Sequence, residues 1–137
     1  MITTNEVKIL KQIKDRVSTI EMWDNGIMYI KLEDHVTIEL EDSVRQFEFL
    51  KKFYDGVNKM CVLVESGEYT DITKEAREFS ARPESNTMTL GSAVIVKSLA
   101  HRIIINFLIN FTRQQAMKMR MFDNKEKAIE WLLKLKG

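Results

Sequence analysis

The sequence predicts an α/β domain: a mixed β-sheet that opens with an antiparallel hairpin and continues as alternating strands and helices. Three observations carry this expectation. Two short runs of alternating apolar residues flank Asp24-Asn25-Gly26, a tripeptide suited to a tight turn. Two unbroken apolar runs, Met60–Val64 and Ala93–Val96, have the composition of strands covered on both faces. Elsewhere the apolar spacing switches to three and four residues, the period of a helix packed on one side.

The elements follow in order. Ser18–Trp23 reads as a strand in which Ile20 and Met22 alternate with Thr19, Glu21 and Trp23. Ile27–Leu32 sets Met28, Ile30 and Leu32 on one face and Ile27, Tyr29 and Lys31 on the other. From Glu41 to about Val57, the residues Val44, Phe47, Leu50, Phe53, Tyr54 and Val57 form one helical face. Glu41 and Asp42 fall in its first turn, where negative charge suits the helix dipole. Thr73 opens a helix that runs to about Ser80, and Arg82-Pro83 closes it, because a residue before proline avoids the helical region. Ser98 is placed to cap a helix reaching about Phe111. Residues 116–122 alternate as a strand, with Met117, Met119 and Met121 facing one way and Lys118, Arg120 and Phe122 the other. Asn124–Lys136 forms the last helix, where Asp123 and Glu126 have capping-box spacing. The order β-β-α-β-α-β-α-β-α implies parallel crossovers with helices packed on the sheet. Residues 1–15 fit either a short helix or an added edge strand.

Composition bounds the class. A chain of 137 residues fits one domain, and it buries enough surface to stand without a disulfide or a metal. One proline and five glycines argue against disorder. The single cysteine, Cys61, forbids an internal disulfide and fits a reducing cytoplasm. The first fifteen residues lack the apolar core of a signal peptide. Leu99–Phe111 is the most apolar stretch, but His101, Arg102, Asn106 and Asn110 interrupt it, and a bilayer span takes about 20 apolar residues. The expected location is therefore cytoplasmic. Charge is uneven: residues 1–87 carry 12 Lys/Arg and 17 Asp/Glu, whereas residues 88–137 carry 9 and 3. Such polarity orients a partner or a second copy, or reflects no more than solvated faces.

A search for chemistry finds no catalytic constellation. GxGxxG, a Walker-type loop, HExxH, CxxC and GxSxG are all missing, so the expectation is a chain that is not an enzyme and takes no cofactor. His35 reads as a loop residue, and His101 is a lone histidine without a second ligand nearby, so no metal is expected. Cys61 reads as a small buried hydrophobe. The stripe Met117, Met119 and Met121 reads as core, or as an adaptable wall for an apolar ligand or partner. Arg113, Lys118 and Arg120 are too few for nucleic acid, though a phosphate or lipid-headgroup contact stays open. The helix Leu99–Phe111 is apolar around more than one stripe and must be covered. Its cover is the domain's own sheet, a second copy in a two-fold homodimer, an apolar ligand or a membrane surface.

The order of elements over roughly residues 18–136 resembles the STAS domain, and more closely its SpoIIAA-like relatives. The telling part is Met60–Phe79, MCVLVESGEYTDITKEAREF. A STAS domain has a central strand there, then a loop ending in Asp-Ser-Ser-Gly at a helix start. This chain reads Asp71-Ile72-Thr73-Lys74, so Thr73 matches the phosphorylated serine of anti-sigma-factor antagonists, while Ile72 and Lys74 depart from the pattern. The ending Ala128-Ile129-Glu130-Trp131-Leu132 is similar to that of small bacterial proteins. The resemblance implies a non-catalytic module that presents a loop containing Ser66, Tyr69, Asp71 and Thr73 to a protein partner, with Thr73 as a phosphoacceptor. The fold is also similar to the lipid-carrying CRAL-TRIO domain. That likeness implies an apolar-ligand or membrane-associated alternative, with Ile104, Phe107, Leu108, Phe111, Met117 and Met119 as the apolar wall or interface.

Overall fold

The computed structural model describes residues 7–80, 82, 87–114 and 118–137, the stretch 107–114 by its backbone alone. Its elements run β1 (Ile9–Lys14), β2 (Ser18–Trp23), β3 (Ile27–Leu32), β4 (Thr37–Ile38), α1 (Leu40–Phe53), β5 (Met60–Glu65), β6 (Asp71–Ile72), α2 (Lys74–Ser80), β7 (Thr89–Ile95), α3 (Leu99–Gln114), β8 (Met119–Phe122) and α4 (Lys125–Lys136). Six strands form one mixed sheet in the order β1-β2-β3-β5-β7-β8. The first three are antiparallel, and β3, β5, β7 and β8 are parallel. This is the hairpin followed by parallel crossovers that the alternation of periods implies.

Within the ambiguous N-terminal segment, Ile9–Lys14 forms an edge strand, and residues 1–6 lie outside the described residues. β1 pairs with β2, opposing Ile13 to Ile20 and Lys14 to Thr19. Gly26 sits at φ +85°, so the turn after β2 takes the residue that tolerates it. The strand faces divide as the alternation predicts. Tyr29, Cys61, Leu63, Ala93 and Ile95 pack on one side against Ala128, Ile129 and Leu132 of α4. Ile20, Met28, Ile30 and Val62 pack on the other against Leu50, Phe47 and Phe53 of α1. α2 leans on α1 through an edge-on contact of Phe47 with Phe79, centroids 5.9 Å apart. Full burial of a side chain such as Leu132 contributes about 1.5–3 kcal/mol, so α4 is a main anchor of the sheet.

Several boundaries differ from the expectation. α1 ends at Phe53, with Tyr54 as an extended cap, and does not reach Val57. The Asp55 carboxylate accepts the N–H groups of Val57 and Asn58, both at 2.7 Å, and this local turn competes with another helical turn. Val57 is left 79 % exposed, so it is no part of the apolar face. α4 is capped by Asn124, whose side chain accepts from Lys127 N–H at 3.0 Å, so the expected Asp123–Glu126 box gives way to a cap one residue later. β7 starts at Thr89, four residues before the apolar run. β8 starts at Met119, and Met117 lies outside the described residues. The pair β4–β6 was not anticipated. It joins Thr37–Ile38 to Asp71–Ile72 in parallel, far apart in sequence.

An ionic cluster locks the β1–β2 turn to α1. Asp42 is 1 % exposed, and its carboxylate accepts from Arg16 Nε at 3.1 Å, from Glu39 N–H at 2.9 Å and from Arg45. Arg45 Nε also donates to Asp15 at 2.9 Å. Burial alone would raise the Asp42 pKa, but the hydrogen bonds from Arg16, the Glu39 backbone and Arg45 outweigh it and hold it low. Asp42 is thus more than helix-start charge. Arg45 stands one turn further along α1, whereas Arg16 arrives from the β1–β2 turn.

Candidate functional site

The site begins where β5 ends. The loop 66–70 is clasped to the loop 33–36 that follows β3. Thr70 Oγ1 donates to the Glu33 carbonyl at 2.8 Å, Glu68 N–H to Asp34 Oδ1 at 2.7 Å, and His35 N–H to the Glu68 carbonyl at 2.8 Å. Gly67 is required at the crossing, since a Cβ there would lie 2.5 Å from the Glu33 carbonyl oxygen. His35 and Tyr69 both adopt left-handed backbone angles, φ +55° and +56°, uncommon for residues with a side chain. Their rings stack at 5.1 Å with a 30° tilt, and Tyr69 is 72 % exposed. A fixed base thus displays a paired aromatic surface.

The first turn of α3 closes the other side. Ser98 caps it as expected, accepting His101 N–H at 3.1 Å. The His101 ring then donates from Nε2 to the Thr70 carbonyl, tying α3 to the loop. Between them lies a groove of about 790 Å³ lined by Lys31, Asp34, Ser66, Tyr69, Asp71, Lys97 and His101 among others. It sits at the carboxyl ends of β3, β5 and β7, where open α/β sheets gather ligands. Of the four loop residues singled out from sequence, Ser66, Tyr69 and Asp71 meet in this groove. Thr73 stands apart. Its Oγ1 accepts Ala76 N–H at 3.2 Å and caps α2, half-buried.

Beneath the groove is an apolar cavity of about 160 Å³, walled by Ile30, Leu32, Val64, Val94, Val96, Ile104, Ile105 and Met119. It shares Ser66, Thr70, Asp71, His101 and Ile104 with the groove. A second chamber of about 150 Å³ continues under α1 and α2 and shares Ile30, Val64, Val94 and Met119 with the first. The sequence-derived residues Ile104 and Met119 thus come together. The side chains of Phe107, Leu108 and Phe111, and all of Met117, lie outside the described residues. The helix was expected to be covered, yet Leu99 and Ile103 are 75 % and 63 % exposed. The sheet shields Ile104 and Ile105 only in part.

On the opposite face of the sheet, a polar group that sequence reasoning missed supports the end of β5. The Tyr29 hydroxyl donates to Glu65 at 2.7 Å, and Lys31 and Lys125 approach the same carboxylate at 3.5 and 3.9 Å. Burial pushes the Tyr29 hydroxyl far above its ordinary pKa, helped by the Glu65 charge. Burial also works to raise Glu65, but the Tyr29 hydroxyl and the lysines hold it below the usual carboxylate range. Its only sequence signal was a glutamate closing an apolar run. Cys61 is fully buried against α4, and burial pushes its thiol up, away from thiolate chemistry. Among the described residues, no group of three His, Cys, Asp or Glu is placed to hold a metal, and no helix is long and apolar enough to cross a membrane.

This architecture, with three helices on one face of a mixed sheet and a closing helix on the other, is of the SpoIIAA-like class. The chain is similar to the crystal structure of an uncharacterised protein of the DUF3478 family from Shewanella loihica PV-4, which has a SpoIIAA-like fold, with a TM-score of 0.59 and 13% identity over 96% of this chain and 99% of that one. The chain itself belongs to the family described as a domain of unknown function, DUF7793, whose model matches residues 21–136. No curated protein matches the sequence.

Proposed function

We propose that this SpoIIAA-like domain is a non-catalytic interaction module that receives a protein partner on the loop 66–73 and the first turn of α3. The observation that carries this reading is the exposed Tyr69 ring, stacked on His35 and held on a hydrogen-bonded base beside a groove. Rigid exposed aromatics are the side chains on which interfaces concentrate their binding energy. The exposed Leu99 and Ile103 extend the apolar surface along α3. In this reading Thr73 is the hydroxyl through which phosphorylation would alter the loop, since a phosphate would load negative charge two residues from Asp71.

The test is affinity capture with the full chain in its source cell, comparing wild type with Tyr69→Ser and Leu99→Ser. The expected result is a partner whose affinity falls about tenfold or more in the Tyr69 variant. A partner retained equally by all three proteins overturns the reading. Intact-mass analysis of the chain purified from that cell tests Thr73: an added phosphate that disappears in Thr73→Val supports its role, and unmodified protein under all growth conditions removes it.

A second reading, an apolar-ligand domain, is favoured by the paired chambers beneath the groove. A cavity of about 150 Å³ lined by aliphatic side chains is enough to hold a benzene-sized molecule. Titration with octanoate, followed by backbone NMR shifts at Val94 and Ile104, should saturate in wild type and vanish in the cavity-filling Val94→Phe. Identical titrations of the two proteins remove this reading. Co-sedimentation with anionic vesicles at low salt separates a membrane-associated version from a soluble one.

A further inference from the structure

We propose that a second groove, on the other flank of α3 from the loop site, binds a small organic phosphate. It has a volume of about 570 Å³ and lies where α3, the edge strand β8 and α4 meet. Three cations from three elements line it: Arg102 of α3, Arg120 of β8 and Lys127 of α4. Among the described residues none of these three has a carboxylate partner. A fourth, Lys134, is held by Glu130 at 3.7 Å, and the carboxylate of Asp123 also lines the groove, which still leaves it net positive. The basic excess of residues 88–137, diffuse in the sequence, is thus partly gathered at one place.

The groove also has an aromatic wall. The Arg120 guanidinium carbon lies 5.0 Å from the centroid of the Phe122 ring, a cation–π contact that leaves its N–H groups for a ligand. Phe122 in turn packs on Trp131, centroids 5.7 Å apart, and Trp131 is half-buried in the same groove. Arginine N–H groups recognise phosphate oxygens in pairs, and the indole offers a surface for a flat organic group. The volume falls within the range of small-molecule sites. Charge opposes a different use of this edge, since Arg120 in β8 and Lys118 just before it disfavour the addition of another strand. A phosphate monoester is the shared chemistry of a soluble metabolite and of a lipid headgroup such as phosphatidic acid.

The test is an NMR titration of the full chain with phenyl phosphate at low salt, read at the Trp131 indole N–H and at the backbone of Arg120 and Lys127. The expected result is saturation with a Kd below about 1 mM. Arg120→Gln should weaken binding about tenfold, because each charge-assisted hydrogen bond lost costs a factor of that order. Lys127→Glu, on the exposed surface of α4, should weaken it further and serves if the Arg120 variant folds poorly. Trp131→Phe should weaken phenyl phosphate more than inorganic phosphate. Shifts that rise linearly without saturation, or that are unchanged in the Arg120 and Lys127 variants, overturn the proposal. Vesicles containing phosphatidic acid distinguish the sources: co-sedimentation lost in Arg120→Gln points to a headgroup, and soluble binding without co-sedimentation points to a metabolite.

Discussion

The two faces of the sheet are built from the same strands and end very differently. On one face a single helix, α4, brings Ala128, Ile129 and Leu132 into a fully buried layer with Cys61, Leu63 and Ala93. On the other, three helices cover the sheet and still leave two apolar chambers, a groove, and the exposed side chains of Leu99 and Ile103. The sequence composition points the other way, since α3 is the most apolar helix and α4 carries charges along its length. Apolar content alone therefore did not seal the first half of α3. A short helix with the right stripe closes a face, whereas the described first half of a greasier helix at the sheet edge leaves Leu99 and Ile103 open. The loop groove and the two chambers lie on the open face, because close packing leaves no room for a ligand, while the basic groove sits at the sheet edge where α3, β8 and α4 meet.

That contrast can be broken, beginning with the largest effect. Leu132→Ala should destabilise the chain by about 3 kcal/mol, as a fully buried leucine lost from a sealed layer leaves a cavity behind. Urea denaturation measures it, and a loss below about 1 kcal/mol would mean that the α4 face is no better packed than the α3 face. Asp42→Asn should cost about 2 kcal/mol, because two arginines lose their shared carboxylate while staying partly solvated. Its pH dependence carries the sign. A carboxylate whose pKa falls on folding contributes stability above its unfolded pKa, near 4, and loses it as pH falls through the folded value. Wild-type stability should therefore drop on acidification below about pH 4, and the Asp42→Asn curve should be flatter there. Parallel curves would remove Asp42 from the acid response.

Smaller effects belong to the open face. Thr73→Ala should cost about 1 kcal/mol by removing the cap on Ala76 N–H, and Thr73→Ser should restore most of it, as thermal melts can show. Leu99→Ser should change stability by no more than about 0.5 kcal/mol, because the side chain is already in water. A larger loss would show that α3 relies on Leu99 for its own packing, and the contrast between faces would weaken.

Much of this fold was legible from local pattern. The hairpin around Gly26, the opposite faces of β3, the burial of Cys61 and the caps at Thr73 and Ser98 all follow from residues within a few positions of one another. The misses share one cause. β1 is exposed at Ile9 and Leu10, so its strand character comes from pairing with β2 and not from an alternating burial of its own. β4 and β6 are two residues each and exist only as a pair. The beginning of β7 hides behind Thr89 and Ser92, polar residues that the fold buries. At the candidate site, Ser66, Tyr69 and Asp71 could be named from the loop, but Lys31 arrives from β3 and Asp34 and Lys97 from other loops.

By itself the sequence determined the principal helices and the central strands and which side of each is apolar, because period and capping act over a single turn or pleat. The tertiary structure decided what those faces meet. It chose which helix seals the sheet, it brought Arg16 onto Asp42, and it opened a chamber beneath His101. These outcomes depend on the distances between groups far apart in the chain, and only the closing of the whole sheet fixes those distances.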